Sequence, residues 1–105
     1  MIVHVVAVDR TDVPECPMPG RFRHDVTYFA TPAGTLDAPK TLGAHEYWIR
    51  AEDAARVLDD GVITIVSPLD SASRTELEIT EDQERFLEWL IRHAVQHVRI
   101  REAGG

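Results

Sequence analysis

Residues 80 to 102, TEDQERFLEWLIRHAVQHVRIRE, hold the pattern from which the rest of the chain can be read. Thr80 and Gln83 stand at the spacing of a capping box, where each side chain satisfies an orphan backbone donor of the first helical turn. Glu81, Asp82 and Glu84 crowd the positive end of the helix dipole, and Arg92 and His93 lie near its negative end. Phe86, Leu87, Leu90, Ile91, Ala94 and Val95 fall on one wide face at about 100° per residue, which predicts an amphipathic helix with that face inward. Trp89 falls nearly opposite the centre of that face, among Arg85, Arg92, His93 and Gln96. The period then switches to two. Val98 and Ile100 alternate with His97, Arg99 and Arg101, the pattern of a half-buried strand.

Working outward, the same reasoning predicts strands at residues 2–8 (IVHVVAV), 25–30 (DVTYFA), 45–50 (HEYWIR), 62–66 (VITIV) and 75–79 (TELEI), the last with Leu77 and Ile79 inward. Residues 51–60 (AEDAARVLDD) read as a short helix that begins acidic and stops at Gly61. Residues 9–24, with three prolines and a glycine, and residues 31–44 read as long loops, and Ser67 to Arg74 as a turn. The expected order is β-β-β-α-β-β-α-β. The expected fold is therefore α+β, one small domain over residues 1–105. It would be a mixed or mainly antiparallel sheet of 5–6 strands with two helices on one face. Loops this long in so short a chain tend to be functional or disordered.

Composition narrows the function classes. The 105 residues are 44% hydrophobic and 28% charged, ordinary for a folded domain. No apolar span is long enough for a membrane helix, and residues 2–8 are too short for a leader, so no membrane partner is expected. A single cysteine, Cys16, precludes an intrachain disulfide and fits a reducing cytoplasm. Ten arginines against one lysine fit a GC-rich, bacterial coding sequence. The net charge is −7, and residues 51–88 alone carry eleven acids and three bases. Such a surface repels phosphate, so nucleic acid is not expected as a partner; it would suit a basic protein, and the plainer reading, a solvated face, is the preferred one.

The candidate functional residues form two groups. Trp89 with Arg85, Arg92, His93 and Gln96 makes an interaction candidate, because Trp and Arg are the residue types that anchor protein interfaces. The occupant would be a partner protein or a second copy. The plain alternative is that one of the long loops folds over the indole. Cys16, Arg21, Arg23 and His24 make a second candidate, a thiol with nearby cations or a cradle for an anionic ligand. The plain alternative there is neutralisation of Asp9, Asp12, Glu15 and Asp25. His93 and His97 have a spacing that can chelate a metal, but no further Cys or acid pair accompanies them in sequence, so no metal is expected. Ser67, Asp70, Ser71 and Ser73 read as turn formers. No phosphate-binding loop and no G-x-S-x-G elbow occurs, so no cofactor and no catalytic set is expected.

The end of the chain, Ala103-Gly104-Gly105 after a strand, resembles the tail of ubiquitin-like sulfur carriers, and the β-β…α-β-β order is loosely similar. The resemblance implies a carrier acting through Gly105. The chain departs from that pattern in its greater length and in the long helix before its last strand. The leading expectation is a small acidic, non-catalytic interaction or regulatory module. A small enzyme or anion-binding domain built on loop 9–24 comes next, and a carrier third.

Overall fold

The computed structural model describes residues 1–67, 69–70 and 72–102. Pro68 and Ser71 of the expected turn, and Ala103-Gly104-Gly105 with the carrier reading, lie outside the described residues. The elements are β1 (Ile2–Ala7), β2 (Cys16–Pro19), α1 (Phe22–Asp25), a 3₁₀ turn (Val26–Tyr28), β3 (Glu46–Trp48), α2 (Ala51–Asp60), β4 (Val62–Val66), β5 (Arg74–Glu78), α3 (Glu81–His93) and β6 (His97–Glu102). The α+β class stands, but the sheet is divided. β2-β1-β6-β3 form one antiparallel sheet and β4-β5 form a separate hairpin.

Alternation decides the faces of the large sheet. Val3, Val5, Cys16, Met18, Val98 and Ile100 point inward and are buried. Phe86, Leu87 and Leu90 of α3 join them in one core cluster. α2 packs against α3 and reaches the core through Ala54. Among the described residues no helix is long and apolar enough to cross a membrane.

The start of α3 is as its sequence implies. The Gln83 amide donates to Thr80 Oγ1 at 3.1 Å, and the Thr80 amide donates to Gln83 Oε1 at 2.9 Å. Both orphan donors are satisfied by neutral side chains, and Gln83 is itself buried. Thr80→Ala is expected to cost about 0.5–2 kcal/mol, read as a shift in the denaturant midpoint. An unchanged midpoint would show that water replaces the cap without loss. α2 likewise ends as expected, with Gly61 at φ 74° and its amide bonded to the Val57 carbonyl.

Two segments differ from their sequence pattern. Residues 25–30 form no strand: Asp25 ends α1, Val26–Tyr28 are the 3₁₀ turn, and Phe29 and Ala30 follow it. The reason is visible once the window is moved back: Phe22, Val26 and Phe29 stand at i, i+4 and i+7, and all three are buried. Loop 9–24 is not wholly irregular either. Its centre is β2, an edge strand whose prolines disguised it. The hairpin β4–β5 also corrects an expectation: Leu77 lies on the same face as Ile63 but remains 40% exposed, while Ile79 is partly buried.

Candidate functional site

The helix face of α3 is rotated from the one its apolar pattern implies, and this moves the candidate site. Gln83, Phe86, Leu87, Trp89 and Leu90 are its buried residues, whereas Ile91 is 46% exposed. Ala94 does not continue the face. It is the C-cap, at φ 53°, and is exposed.

Trp89 therefore stands inward, not outward, and is 6% exposed. Its Nε1–H donates to the Pro14 carbonyl at 2.9 Å. Its ring stacks beside Phe86 at a centroid distance of 6.3 Å, and His93 meets it edge-on at 6.0 Å. The segment between β1 and β2 supplies the cover. Arg10 Nη1 anchors that segment by donating to the His93 carbonyl at 3.3 Å. Arg85 Nη2 ties β2 to the same helix, donating to the Pro17 carbonyl at 2.8 Å and lying 3.2 Å from Met18 Sδ. Gln96 is drawn away to another task, accepting the Ala51 amide at the start of α2 at 3.1 Å.

What remains outside Trp89 is a shallow groove of about 690 Å³ between β2 and α3, lined in part by Met1, Ile2, Cys16, Pro17, Arg85 and Arg92. Cys16 thus shares this groove with three residues of the other candidate group, Arg85, Trp89 and Arg92. It is 4% exposed, and burial pushes its thiol up, an effect only partly offset by the Arg85 guanidinium. Its environment favours the thiol over the nucleophilic thiolate. The cations expected around it disperse. Arg21 pairs with Asp82 at 3.4 Å, at the groove's end. Arg23 pairs with Glu102 at 2.5 Å, and His24 Nε2 lies 3.3 Å from Tyr28 Oη. These three side chains serve three different partners and share no anion cradle.

His93 and His97 also part company. His97 lies on β6 with Nε2 2.8 Å from Glu46 Oε1. The amide of Gly43 and the His97 ring hold the Glu46 carboxyl below the usual carboxylate range. Among the described residues no three His, Cys, Asp or Glu side chains converge as a metal site.

A second groove has no signature in the sequence. It lies between α2 and α3, has a volume of about 310 Å³, and is lined by Ala51, Ala54, Ala55, Leu90, Ile91 and Ala94 among others. Ala51, Ala55, Ile91 and Ala94 are all exposed there. Helical spacing puts acids on its solvent slopes, Glu52 and Asp59 at i−3 and i+4 from Ala55 and Glu84 two turns before Ile91, whereas Glu88 lines the β2–α3 groove. Glu52 is paired with Arg50. Asp59, Glu84 and Glu88 have no ion-pair partner among the described residues. No family model, no curated protein and no solved structure matches this chain.

Proposed function

We propose that this protein is a small acidic interaction module that receives an amphipathic helical segment of a partner protein in the α2–α3 groove. The observation that carries the reading is Ile91, an apolar side chain half exposed at the lip of an alanine-lined trough. Alanines let an incoming helix approach closely, since interaxial distance follows the size of the side chains at the contact. The trough offers no acid–base pair and no nucleophile. It suits apolar anchors at i, i+3/i+4 and i+7 of a bound helix. Asp59 and Glu84 favour lysine or arginine on the flanks of that helix. The same acids would oppose their own copies across a symmetric dimer through this face, and they repel phosphate, so the reading is a basic protein partner rather than a second copy or a nucleic acid.

The competing idea, an enzyme or anion site on residues 9–24, requires Cys16, Arg21, Arg23 and His24 to act together, and their partners pull them apart. The test is selection of helical peptides from a displayed library with randomised flanks and core positions. Binders should carry basic flanks and should lose about tenfold or more in affinity to an Ile91→Asp variant. That variant should fold normally because Ile91 is outside the core. Binders indifferent to Ile91→Asp, or binders with acidic flanks, would overturn the proposal.

A further inference from the structure

In an antiparallel ladder, facing residues alternate between pairs that exchange both backbone hydrogen bonds and pairs that exchange neither, whose N–H and C=O then point away from the partner strand. This rule, applied to each edge of the two sheets, shows which edges are closed.

On β2, the Gly20 amide bonds the Met1 carbonyl, which sets Met18 and Cys16 as the residues bonded to β1 and turns Pro17 and Pro19 outward. Neither proline has an N–H, and the Pro17 carbonyl is taken by Arg85. On β3, the Ile49 amide bonds Gln96 and the Ile100 amide bonds His45, so Glu46 and Trp48 face outward. The Trp48 carbonyl accepts from Thr31 at 2.7 Å, and the Glu46 amide donates to Gly43 at 3.2 Å. Both edges of the large sheet are therefore occupied. On the hairpin, the outer side of β4 borders a cleft walled by Tyr28 and Arg56.

β5 is different. The Ile79 amide bonds the Gly61 carbonyl at 3.0 Å, and the Ser67 amide bonds the Ser73 carbonyl at 3.1 Å. With the register Ile63↔Leu77 and Ile65↔Thr75, the backbone groups of Arg74, Glu76 and Glu78 point away from β4. All five residues of β5 are exposed, and no described strand lies beyond it. It holds no proline, and its charges, Arg74, Glu76 and Glu78, guard it only against strands that do not match them.

We infer that the outer edge of β5 is a strand-addition site for an extended partner segment in which basic residues alternate with β-branched apolar ones. The alternation follows from the two faces of β5. Arg74, Glu76 and Glu78 share one face, on which the two carboxylates outnumber the guanidinium and would stand opposite lysine or arginine. Leu77, 40% exposed beside Ile63, occupies the other and would gain an apolar neighbour. Antiparallel pairing with a second copy about Glu76 would set that carboxylate against itself but Arg74 opposite Glu78 twice, so a second copy is the competing occupant that the test below separates. The site is separate from the α2–α3 groove and does not depend on it.

The probe is a capped eight-residue peptide of alternating lysine and valine, with its glutamate–valine counterpart as control. The lysine–valine peptide should slow amide exchange at Arg74, Glu76 and Glu78 by about tenfold or more, and the control should bind at least about tenfold more weakly. Glu76→Pro should abolish binding while leaving the hairpin intact, since it removes an N–H that bonds nothing in β4. Exchange at Ile63 and Leu77 reports whether the hairpin survives. If it does not, Glu78→Pro blocks the same edge and must give the same loss. Glu76→Gln, which keeps the edge, should retain most of the binding. No protection by the peptide, equal binding of the two peptides, or full binding by both proline variants would overturn the inference. So would protection of these amides in the protein alone, rising with concentration, because a second copy would then hold the edge.

Discussion

Trp89→Ala is expected to lower stability by about 3–5 kcal/mol, the cost of removing a large side chain from a well-packed interior. The indole is 6% exposed and lies against Phe86. Its loss would also orphan the Pro14 carbonyl that accepts its N–H at 2.9 Å. The covering segment has few other ties to α3, chiefly Arg10 on the His93 carbonyl, so it should loosen with the mutation. Assembly should be unaffected, because the indole faces its own chain. Urea melts and sedimentation of the one variant check both halves. A loss under about 1 kcal/mol together with altered sedimentation would mean that Trp89 belongs to an interface. Trp89→Phe should recover most of the packing and leave only the hydrogen bond, about 1 kcal/mol, unrepaired.

Phe86→Ala should be equally severe, about 3–5 kcal/mol. Phe86 has no exposed surface, and its ring lies 4.6 Å from Phe22 and 6.0 Å from Phe29. It is thus the point at which α1, the end of the 3₁₀ turn and α3 meet. A domain of ordinary stability holds roughly 5–15 kcal/mol in total, so this substitution should bring the chain close to unfolding at room temperature. A denaturant midpoint within about a tenth of the parent's would contradict the packing described here.

The sequence made α3 and β6 legible because their signals are local: a capping box, a graded charge along the helix and a clean change of period. α2 was legible for the same reason, down to Gly61 as its terminator. What failed was non-local. The helical triad Phe22, Val26 and Phe29 straddles the start of the expected strand at Asp25, so two of its three members fall in a segment with a strand-like pattern. The prolines of β2 are tolerated because they sit on an outward edge, a fact that only the pairing reveals. Trp89 was misplaced because the segment that covers it ends at Pro14, far away in sequence. Cys16, Arg21, Arg23 and His24 are sequence neighbours in a turn-rich stretch, and turns send neighbours in different directions. The α2–α3 groove was hidden in plain alanines, Ala51 and Ala55, which acquire meaning only when a second helix with an exposed Ile91 lies beside them.

An amide chemical-shift map of the parent protein titrated with a basic-flanked helical peptide tests most directly the proposal that the α2–α3 groove receives a partner. Shifts should concentrate at Ala51, Ala55, Ile91 and Ala94, with Glu84 and Asp59 moving as their carboxylates gain partners. Shifts concentrated instead at Met1, Ile2, Cys16 and Arg92 would place the partner in the β2–α3 groove and contradict the central claim.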